Sequence, residues 1–424
     1  MKILYHIIVH ALLLTIAPYV IARCILDRKY RKDIFARLSG IKQAPRKHDN
    51  VWVHASSAGE VIAASLLWRS LIKKGYQPVL SVFTKTGFDL AKKEGLDPIF
   101  RLPPDSPLWM NPLLNKLEPS VLILVESELW PALIWGCRSR NIPVILANGR
   151  MSEKSFKRYS QFIRFFQSVA NAVNVFSMRS KQDAERIQSL GITNEKIHVS
   201  GNIKFDTNIS ETYDNTMAPR MSHPPIIIFG STRPGDEEPI LHAVRKLISD
   251  FSKIQFVIAP RHIERIEEIE GLIKNFGLDY IKHSDMLSDH YLQEKELLNK
   301  SRLKIILLDT LGDLNNYYKQ GTIAFVGGGF NPRFGGHNIL EPAVCGLPTI
   351  YGKHMGNFEE EARLLNESGG GIELQSPDEL YSVLLRLLND PKELTKRGRS
   401  AASTIKSNRG ALEKHIQIIR PLIK

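Results

Sequence analysis

Short, largely apolar runs alternate with longer amphipathic stretches along most of this chain. The apolar runs cover residues 51–54, 79–83, 121–125 and 144–147, and later residues 226–229, 256–259, 305–308 and 323–326. Apolar residues at helical spacing separate them, for example over residues 61–74, 87–94 and 129–140. Strands that are apolar on both faces and alternate with helices indicate parallel sheets covered on both sides. The pattern therefore predicts an α/β protein with doubly wound sheets.

One polar segment interrupts this alternation. Residues 211–225 are rich in proline and methionine and have no apolar period, which is typical of a linker. A chain of 424 residues is also too long for one ordinary core. We therefore predict one domain over residues 25–210 and a second over residues 226–424, whose basic, helical terminal segment could pack back on the first. Two such domains facing each other would leave a ligand-binding cleft at the carboxyl ends of their strands.

The beginning of the chain is its most apolar part. Residues 4–22 are almost wholly apolar, which is about the ~20 residues that a bilayer-spanning helix needs. The basic residues that follow are Arg23, Arg28, Lys29, Arg31 and Lys32. Such a cluster is expected to stay on the cytoplasmic side and to contact anionic headgroups. We predict a membrane anchor over residues 1–24; a cleaved signal peptide and a buried first helix are the alternatives.

Charge and cysteine content restrict the kind of partner and compartment. The net charge of +13 indicates an anionic partner, which could be nucleic acid, phospholipid or a phosphorylated substrate. The chain has no basic stripe interleaved with aromatic residues and no known reading motif, so we predict no nucleic-acid partner. Cys24, Cys137 and Cys345 share no metal-ligand spacing, which indicates a reducing compartment without structural disulfides.

A glycine-rich loop follows the apolar run that ends at Val326. Asn338 stands where a helix is expected to begin, and Glu341 lies one turn inside that helix. A helix start with a good N-cap residue offers unpaired N–H groups to a phosphate. A carboxylate one turn later can accept hydrogen bonds from ribose hydroxyls. The loop therefore predicts a nucleotide site, although a plain strand–loop–helix junction remains the alternative.

Other strand-to-helix turns of the second half fall on the same predicted sheet edge. They comprise residues 230–233, 259–262 and 309–313. Arg261 is the candidate phosphate-binding residue, because a guanidinium can donate two parallel hydrogen bonds to phosphate oxygens. Neither an Asp-x-Asp pattern nor a His/Cys/Asp cluster occurs, so we predict no essential metal. Each turn taken alone could be an ordinary βα connection.

Charged residues also follow the strands of the first half. Glu60 lies at a helix start, where the dipole favours its ionised form, and could act as a general base. Glu126 and Glu128 follow a very apolar strand and could lie near Glu60, while Lys204 could stabilise a carboxylate or phosphate. The alternatives are helix caps for the carboxylates and a solvated surface for the lysine. His54 is interpreted as a packed strand-end histidine.

These segments together resemble a known family. The motifs lie at residues 54–60, 126–131, 201–206, 259–262, 309–314 and 335–342. In that order they are similar to the bacterial 3-deoxy-D-manno-octulosonic acid (Kdo) transferases of lipid A core assembly. The resemblance implies a GT-B glycosyltransferase fold, with two Rossmann-like domains facing a cleft and an N-terminal anchor in the inner membrane. The catalytic domains would then lie on the cytoplasmic side.

The resemblance also implies an activity and assigns residues to it. CMP-Kdo would be the donor and a lipid A precursor, lipid IV(A), the acceptor, in an inverting transfer without a cofactor. Glu60 would be the proton acceptor, and Glu126 and Lys204 would stabilise the transition state. The implied CMP contacts are Pro260, Arg261, Leu311, Gly312, Asp313, Asn338, Ile339, Leu340 and Glu341. Asp313 departs from the family, where many relatives have Glu. Another membrane-associated GT-B enzyme, such as a lipid-linked N-acetylglucosamine transferase, is the alternative.

Overall fold

The computed structural model describes residues 1–45, 50–206, 224–287 and 304–423. These residues divide into two units, one running from the N-terminus to residue 206 together with residues 408–423, and the other covering residues 224–407. The predicted linker, residues 211–225, lies outside the described residues except for its last two positions.

A seven-stranded parallel sheet forms the centre of the first unit. Its strands are β1 (Val51–Ala55), β2 (Pro78–Val82), β3 (Ile99–Arg101), β4 (Val121–Val125), β5 (Val144–Gly149), β6 (Val175–Met178) and β7 (Ile197–Val199). They lie in the order β3-β2-β1-β4-β5-β6-β7. Every residue of β1, β2, β4 and β5 is buried, as expected of strands covered by helices on both faces.

Helices precede and connect these strands. They are α1 (Lys2–Leu26), α2 (Arg28–Leu38), α3 (Gly40–Gln43), α4 (Ala58–Lys73), α5 (Lys85–Lys93), α6 (Pro107–Leu117), α7 (Pro131–Arg138), α8 (Glu153–Gln161), α9 (Ile163–Ala170) and α10 (Lys181–Ser189). Short 3₁₀ turns occur at Asn194–Lys196 and Ile203–Asp206. Pro131 occupies the first turn of α7, the position where a proline costs no helical hydrogen bond.

The second unit repeats the plan with a second seven-stranded parallel sheet. Its strands are β8 (Ile226–Thr232), β9 (Gln255–Pro260), β10 (Tyr280–Lys282), β11 (Ile305–Leu307), β12 (Ile323–Val326), β13 (Thr349–Gly352) and β14 (Gly371–Leu374). The order is β10-β11-β9-β8-β12-β13-β14. The strands β11, β9, β8 and β12 are therefore neighbours, and the turns that follow them line one edge of the sheet.

The helices of the second half complete both units. They are α11 (Glu237–Asp250), α12 (Ile266–Asn275), α13 (His283–Met286), α14 (Leu314–Tyr318), α15 (Leu340–Val344), α16 (Glu359–Ser368), α17 (Glu379–Asn389), α18 (Pro391–Asn408) and α19 (Ala411–Ile419), with 3₁₀ turns at Ile263–Arg265 and Arg420–Leu422. Helix α19 belongs to the first unit, where Ile416 and Ile419 join a core formed by residues of β1, β2, β4 and α4. The predicted α/β class with two parallel sheets is confirmed.

Helix α1 is long and apolar enough to cross a membrane, by length and composition only. The mean hydropathy of its most apolar 18-residue window is 1.9, and none of the residues in that window is buried. Side chains from its first half contact the sheet unit. The Tyr5 hydroxyl donates to Asp105 Oδ2 at 2.8 Å, the Tyr5 ring stacks on Phe165 at 5.6 Å, and His10 Nε2 lies 3.1 Å from Ser106 Oγ. The rest of the helix presents apolar side chains to its surroundings.

Candidate active site

A buried ion pair lies beyond the carboxyl ends of the strands in the first unit. Glu126 directly follows β4, and Lys204 lies in the 3₁₀ turn Ile203–Asp206 that follows β7. The Lys204 Nζ is 2.9 Å from Glu126 Oε1, and the two residues are only 4% and 8% exposed. Since both charges have been taken out of water, each depends on the other for compensation.

The backbone of Glu126 adopts a conformation that non-glycine residues rarely use. Its φ is +64°, which lies in the left-handed region and costs a non-glycine residue roughly 1–2 kcal/mol. Two hydrogen bonds hold it there: the Glu126 N–H donates to Ala147 O at 2.9 Å, and the Arg150 N–H donates to Glu126 O at 3.3 Å. The sheet thus fixes the direction in which the Glu126 side chain leaves the strand end.

Glu60 is a buried carboxyl group in the first turn of α4. Ser57 is the N-cap and its hydroxyl accepts the Glu60 N–H at 3.4 Å. The Glu60 side chain returns toward the preceding loop, where its Oε2 accepts the Ser56 N–H at 2.5 Å. This arrangement is close to a capping box. Glu60 therefore does cap the helix, which was the alternative role predicted from the sequence. The same contact fixes its carboxyl group near the end of β1.

The electrostatic environment of Glu60 differs from our expectation. We expected the helix dipole to favour the ionised carboxylate, but burial raises the pKa of Glu60 to about 8. The nearby carboxylates of Glu128 and Glu126 add to the rise, and the N–H groups of Ser56 and Ser57 offset only part of it. The expectation was wrong because desolvation and like charges outweigh a dipole effect of at most about 2 kcal/mol.

Glu128 and His54 complete the polar surroundings of Glu60. Burial raises the pKa of Glu128, while a hydrogen bond from the Ser56 side chain lowers it. His54 is fully buried and contacts Ser81 Oγ at 2.8 Å and Ser56 Oγ at 3.1 Å. Burial lowers the pKa of His54 to about 3, so its ring is neutral. His54 is a packed strand-end residue, as predicted.

The predicted nucleotide residues lie at the edge of the second sheet. Pro260 ends β9, and the Arg261 N–H donates to Thr232 O at 3.1 Å, which ties this turn to the end of β8. The Arg261 side chain is exposed. Burial raises the pKa of the Glu341 carboxyl group in α15, whereas the hydrogen bond from Asn338 and the nearby positive charge of Arg261 lower it. Arg261 and Glu341 therefore belong to one charged cluster.

The Asn338–Glu341 segment begins α15 slightly later than expected. The helix starts at Leu340 with Ile339 as its N-cap, so the prediction of Asn338 as the N-cap was wrong by one residue. The Asn338 side chain still accepts the Leu340 N–H at 3.1 Å and donates to Glu341 Oε1 at 3.0 Å. Ile339 and Leu340 are fully buried, so only their backbone groups can face a ligand.

The Leu311–Asp313 turn lies beyond the end of β11. Leu311 is 60% exposed, and Gly312 has a φ of +99°, which favours glycine. Asp313 accepts the Thr310 hydroxyl at 2.6 Å and lies 3.8 Å from His283 Nε2. Among the described residues, no hydrogen bond or ion pair joins Asp313 to Arg261 or Glu341. The turn shares the sheet edge but not the contacts of the other residues.

Sequence reasoning did not assign a role to Arg233 or Asp236, which join two of these turns. Asp236 Oδ2 accepts the N–H groups of Arg233 and Gly328, both at 2.8 Å. The sequence does show a polar turn after β8 and an acidic start of α11. It does not show that Asp236 binds the glycine-rich loop, because that contact joins residues 92 positions apart. Within the described ranges, no three His, Cys, Asp or Glu side chains could hold a metal ion; metal independence stays a prediction.

Comparison with solved structures supports the two-domain architecture. The S. aureus MnaA–UDP structure covers 88% of this chain and 97% of its own, at a TM-score of 0.55 and 16% identity, a likeness of fold alone. Together with the two parallel seven-stranded sheets, it confirms the GT-B fold. The crystal structure of the C-terminal CMP-Kdo binding domain of WaaA from Acinetobacter baumannii is 26% identical and covers 43% of this chain and 89% of its own, at a TM-score of 0.39.

Sequence comparison is more specific. A family model described as 3-deoxy-D-manno-octulosonic-acid transferase (kdotransferase) matches residues 32–207. The 3-deoxy-D-manno-octulosonic acid transferase of Haemophilus influenzae is 34% identical over 385 residues, which cover 88% of this chain and 87% of that protein. The chain therefore belongs to the 3-deoxy-D-manno-octulosonic acid transferase family and is a glycosyltransferase that transfers Kdo.

Proposed function

We propose that this enzyme takes Kdo from CMP-Kdo, transfers it to a lipid A precursor with inversion, and uses Glu60 as the base. Kdo transfer follows from family membership, whereas the donor, the acceptor and the base constitute the proposal. The observation that supports it best is the buried Glu60 carboxyl group, which neighbours Glu126 closely enough for their charges to interact, next to the Glu126–Lys204 pair.

The proposed step is a single displacement. The acceptor hydroxyl oxygen attacks the anomeric carbon of Kdo while its proton passes to the Glu60 carboxylate. The bond from that carbon to the phosphate oxygen breaks, and its electron pair leaves with CMP. Attack opposite the leaving group inverts the configuration and needs no covalent intermediate. A base with a pKa of about 8 is well matched to this task, because it accepts a proton readily and is still partly ionised near neutral pH.

Lys204 supplies fixed positive charge in the first unit. Kdo carries a carboxylate on its reacting carbon, and negative charge grows on the departing phosphate. A buried ammonium group held in advance can stabilise such charge without reorganising at the moment of reaction. Glu126 holds the Lys204 ammonium at 2.9 Å. We therefore assign transition-state stabilisation to Lys204 and Glu126 acting as a pair.

The second unit would bind the CMP part of the donor. Arg261 presents an exposed guanidinium suited to two parallel bonds with the phosphate. Glu341, fixed by the Asn338 amide at 3.0 Å, would accept hydrogen bonds from the ribose. Pro260, the exposed Leu311–Gly312 turn with Asp313, and the backbone of Ile339 and Leu340 would complete the site.

The lipid acceptor fits a protein anchored at a membrane. Helix α1 is apolar and long enough to span a bilayer, and α2, which follows it, begins with Arg28, Lys29, Arg31 and Lys32. Such a cluster favours the cytoplasmic side and anionic headgroups. We propose that α1 anchors the enzyme in the inner membrane, with both units on the cytoplasmic side.

The direct test is transfer by the purified full chain in mixed micelles. CMP-Kdo and lipid IV(A) are supplied, and the lipid product is weighed by mass spectrometry. We expect a product heavier by one or more Kdo residues and no product with UDP-N-acetylglucosamine, the donor of the alternative enzyme. Transfer only from the UDP donor, or to a water-soluble acceptor alone, would contradict the proposal.

The role of Glu60 is tested in the same assay with a matched pair of variants. Glu60→Gln keeps the size and the hydrogen-bonding shape of the side chain but cannot take a proton, so we expect transfer to fall by roughly 10²–10⁴-fold. Glu185→Gln makes the same charge change on the exposed side of α10 and should leave the rate unchanged. Near-normal transfer by Glu60→Gln would exclude Glu60 as the base.

A further inference from the structure

Arg233 lies at the centre of a cluster of basic side chains at the edge of the second sheet. Its Nε donates to His337 Nε2 at 2.9 Å, and its Nη1 donates to His262 Nε2 at 2.6 Å. The guanidinium also lies over the ring of Phe334, 5.0 Å from its centroid. Three elements of the chain therefore hold one half-buried guanidinium in a defined orientation.

The backbone beneath Arg233 is fixed as firmly as its side chain. Ser231 has a φ of +56°, which turns the chain sharply at the end of β8. Asp236 Oδ2 then accepts the Arg233 N–H and the Gly328 N–H, both at 2.8 Å. A Cβ at Gly327 would come within 2.6 Å of Asp236 Oδ2 and 2.7 Å of Ser231 O, so only glycine allows the two turns to approach this closely.

The charge of Arg233 has no counterion of its own among the described side chains. No carboxylate lies within ion-pair distance of its guanidinium, whereas the neighbouring Arg265 contacts Glu237 and Glu268, each at 2.6 Å. Its two side-chain acceptors are histidines; burial lowers the pKa of both His262 and His337, so these rings are neutral. A cation held only by neutral groups is poised to receive an anion.

The charges around Arg233 also favour binding of an anion. Burial lowers the pKa of Arg233, and the positive charges of Arg261 and Arg265 lower it further. A cluster of like charges is unfavourable in the empty protein and becomes favourable when an anion neutralises it. The carboxylate of Asp236 lowers this cost, but it is already occupied by two backbone N–H groups.

We propose that Arg233 binds the carboxylate of the sugar in the donor, while Arg261 binds the phosphate. The proposal rests on the proposed function, because the Kdo part of CMP-Kdo carries a carboxylate on the carbon that bears the phosphate. Two anionic groups so close together need two cationic partners, and Arg233 and Arg261 follow adjacent strands, β8 and β9. Two of the five Arg233 N–H donors are used within the protein, which leaves donors for a bidentate contact.

If Arg233 binds the sugar carboxylate, it should strengthen the binding of CMP-Kdo but not that of CMP. The experiment therefore compares the KM for CMP-Kdo with the inhibition constant for CMP, which lacks the carboxylate. For Arg233→Gln we expect the KM to rise about 10- to 100-fold and the inhibition constant to change less than about threefold. For Arg261→Ala both constants should rise together.

Two further variants and an unfolding measurement make the result decisive. Arg233→Lys keeps the charge but loses the planar fork, so its KM should lie between those of the wild type and Arg233→Gln. Arg245→Gln removes an exposed arginine of α11 and should change neither constant. Thermal unfolding of every variant identifies any loss of fold, and the Lys variant tests the contact if the Gln variant is unstable.

The outcomes separate this proposal from the proposed function. An unchanged KM in folded Arg233→Gln, or an equal rise of the KM and the CMP inhibition constant, would overturn the carboxylate contact while leaving CMP-Kdo as the donor. Failure of the wild-type chain to use CMP-Kdo at all would overturn the proposed donor and this contact with it.

Discussion

Burial of the Glu60 carboxyl group favours its proposed role as a base but lowers the stability of the fold at high pH. Its pKa rises from 4.5 to about 8 on burial, so between these pH values the folded protein holds a proton that the unfolded chain has lost. A group of this kind stabilises the fold less and less as the pH rises through that range. The raised pKa that would make Glu60 a better base therefore lowers the free energy of unfolding at alkaline pH.

Replacement of Glu60 by glutamine should reveal this cost. Because glutamine does not titrate, the free energy of unfolding of Glu60→Gln should improve relative to the wild type as the pH rises from about 4.5 to about 8. Denaturant unfolding of both proteins at pH 5 and pH 8.5 measures the change. The exposed control Glu185→Gln should show no such trend, and a constant difference between wild type and Glu60→Gln would mean that the buried carboxyl group titrates normally.

The Glu126–Lys204 pair makes a second residue-scale prediction. Lys204→Met leaves the Glu126 carboxylate buried without its ammonium partner, which should lower the free energy of unfolding by roughly 3–5 kcal/mol. The double variant Glu126→Gln/Lys204→Met removes both charges and should be less destabilised than the sum of the two single variants. Urea unfolding of the four proteins gives the coupling energy, and strict additivity would show that the pair contributes nothing.

At the scale of elements, the sequence was most informative about strands. The eight predicted apolar runs all fall on or overlap strands, because a strand buried on both faces is apolar at most of its positions. Helix starts were less certain. The N-cap of α15 is Ile339 rather than the expected Asn338, although the Asn338 side chain still accepts the Leu340 N–H.

The contact between Asp206 and α19 could not be predicted from the pattern. Asp206 Oδ1 accepts the Gly410 N–H at 2.7 Å, and Oδ2 accepts the Leu412 N–H at 2.6 Å. One carboxylate therefore caps the start of α19 from a position about 200 residues earlier in the chain. Asp206 ends the same 3₁₀ turn that carries Lys204, so α19 helps to position the proposed transition-state lysine.

Loss of this cap should affect both stability and transfer. Asp206→Ala removes two hydrogen bonds to a charged acceptor, and we expect a loss of roughly 1–3 kcal/mol in the free energy of unfolding. The turn that carries Lys204 should loosen as well, so kcat should fall, while the KM for the donor, which we propose to bind the second unit, stays near normal. Urea unfolding and steady-state kinetics measure the two effects.

A surface aspartate provides the comparison for Asp206. Asp89→Ala removes an exposed carboxylate that pairs with Lys85 within α5, and exposed pairs contribute about 0–1 kcal/mol. It should leave kcat unchanged. If Asp206→Ala behaves like Asp89→Ala in both measurements, the cap neither stabilises α19 nor positions Lys204.

At the scale of the whole molecule, the sequence indicated two α/β units because each repeats the strand–helix alternation. The sequence left open whether the helical terminal segment packs back on the first unit. Residues 408–423 do belong to that unit, through contacts between distant segments. His415 of α19 contacts Ser177 Oγ at 2.7 Å, 238 positions away, and the Gly201 carbonyl at 3.1 Å. Burial lowers the pKa of His415 to about 4, so the ring is a neutral part of the core.

Helix α1 is the part of the molecule whose role depends most on what surrounds the protein. Its apolar window is unburied, so these apolar side chains add little to the core of the sheet unit. Its described side-chain hydrogen bonds to that unit come from Tyr5 and His10. The rest of the chain remains strongly basic and retains the cluster at the start of α2. Anchoring and electrostatic attraction should therefore be separable.

Deletion of residues 2–26 should give a folded enzyme that has lost its firm hold on the membrane. In flotation with vesicles of phosphatidylethanolamine and phosphatidylglycerol, the full chain should stay bound at 0.5 M salt, because an apolar helix is insensitive to screening. The shortened chain should bind only at low salt, where basic residues attract anionic headgroups. Its transfer to detergent-dispersed lipid IV(A) should remain close to that of the full chain. Salt-resistant binding without α1 would place the anchor elsewhere, and loss of transfer to the dispersed lipid would mean that α1 contributes to the acceptor site.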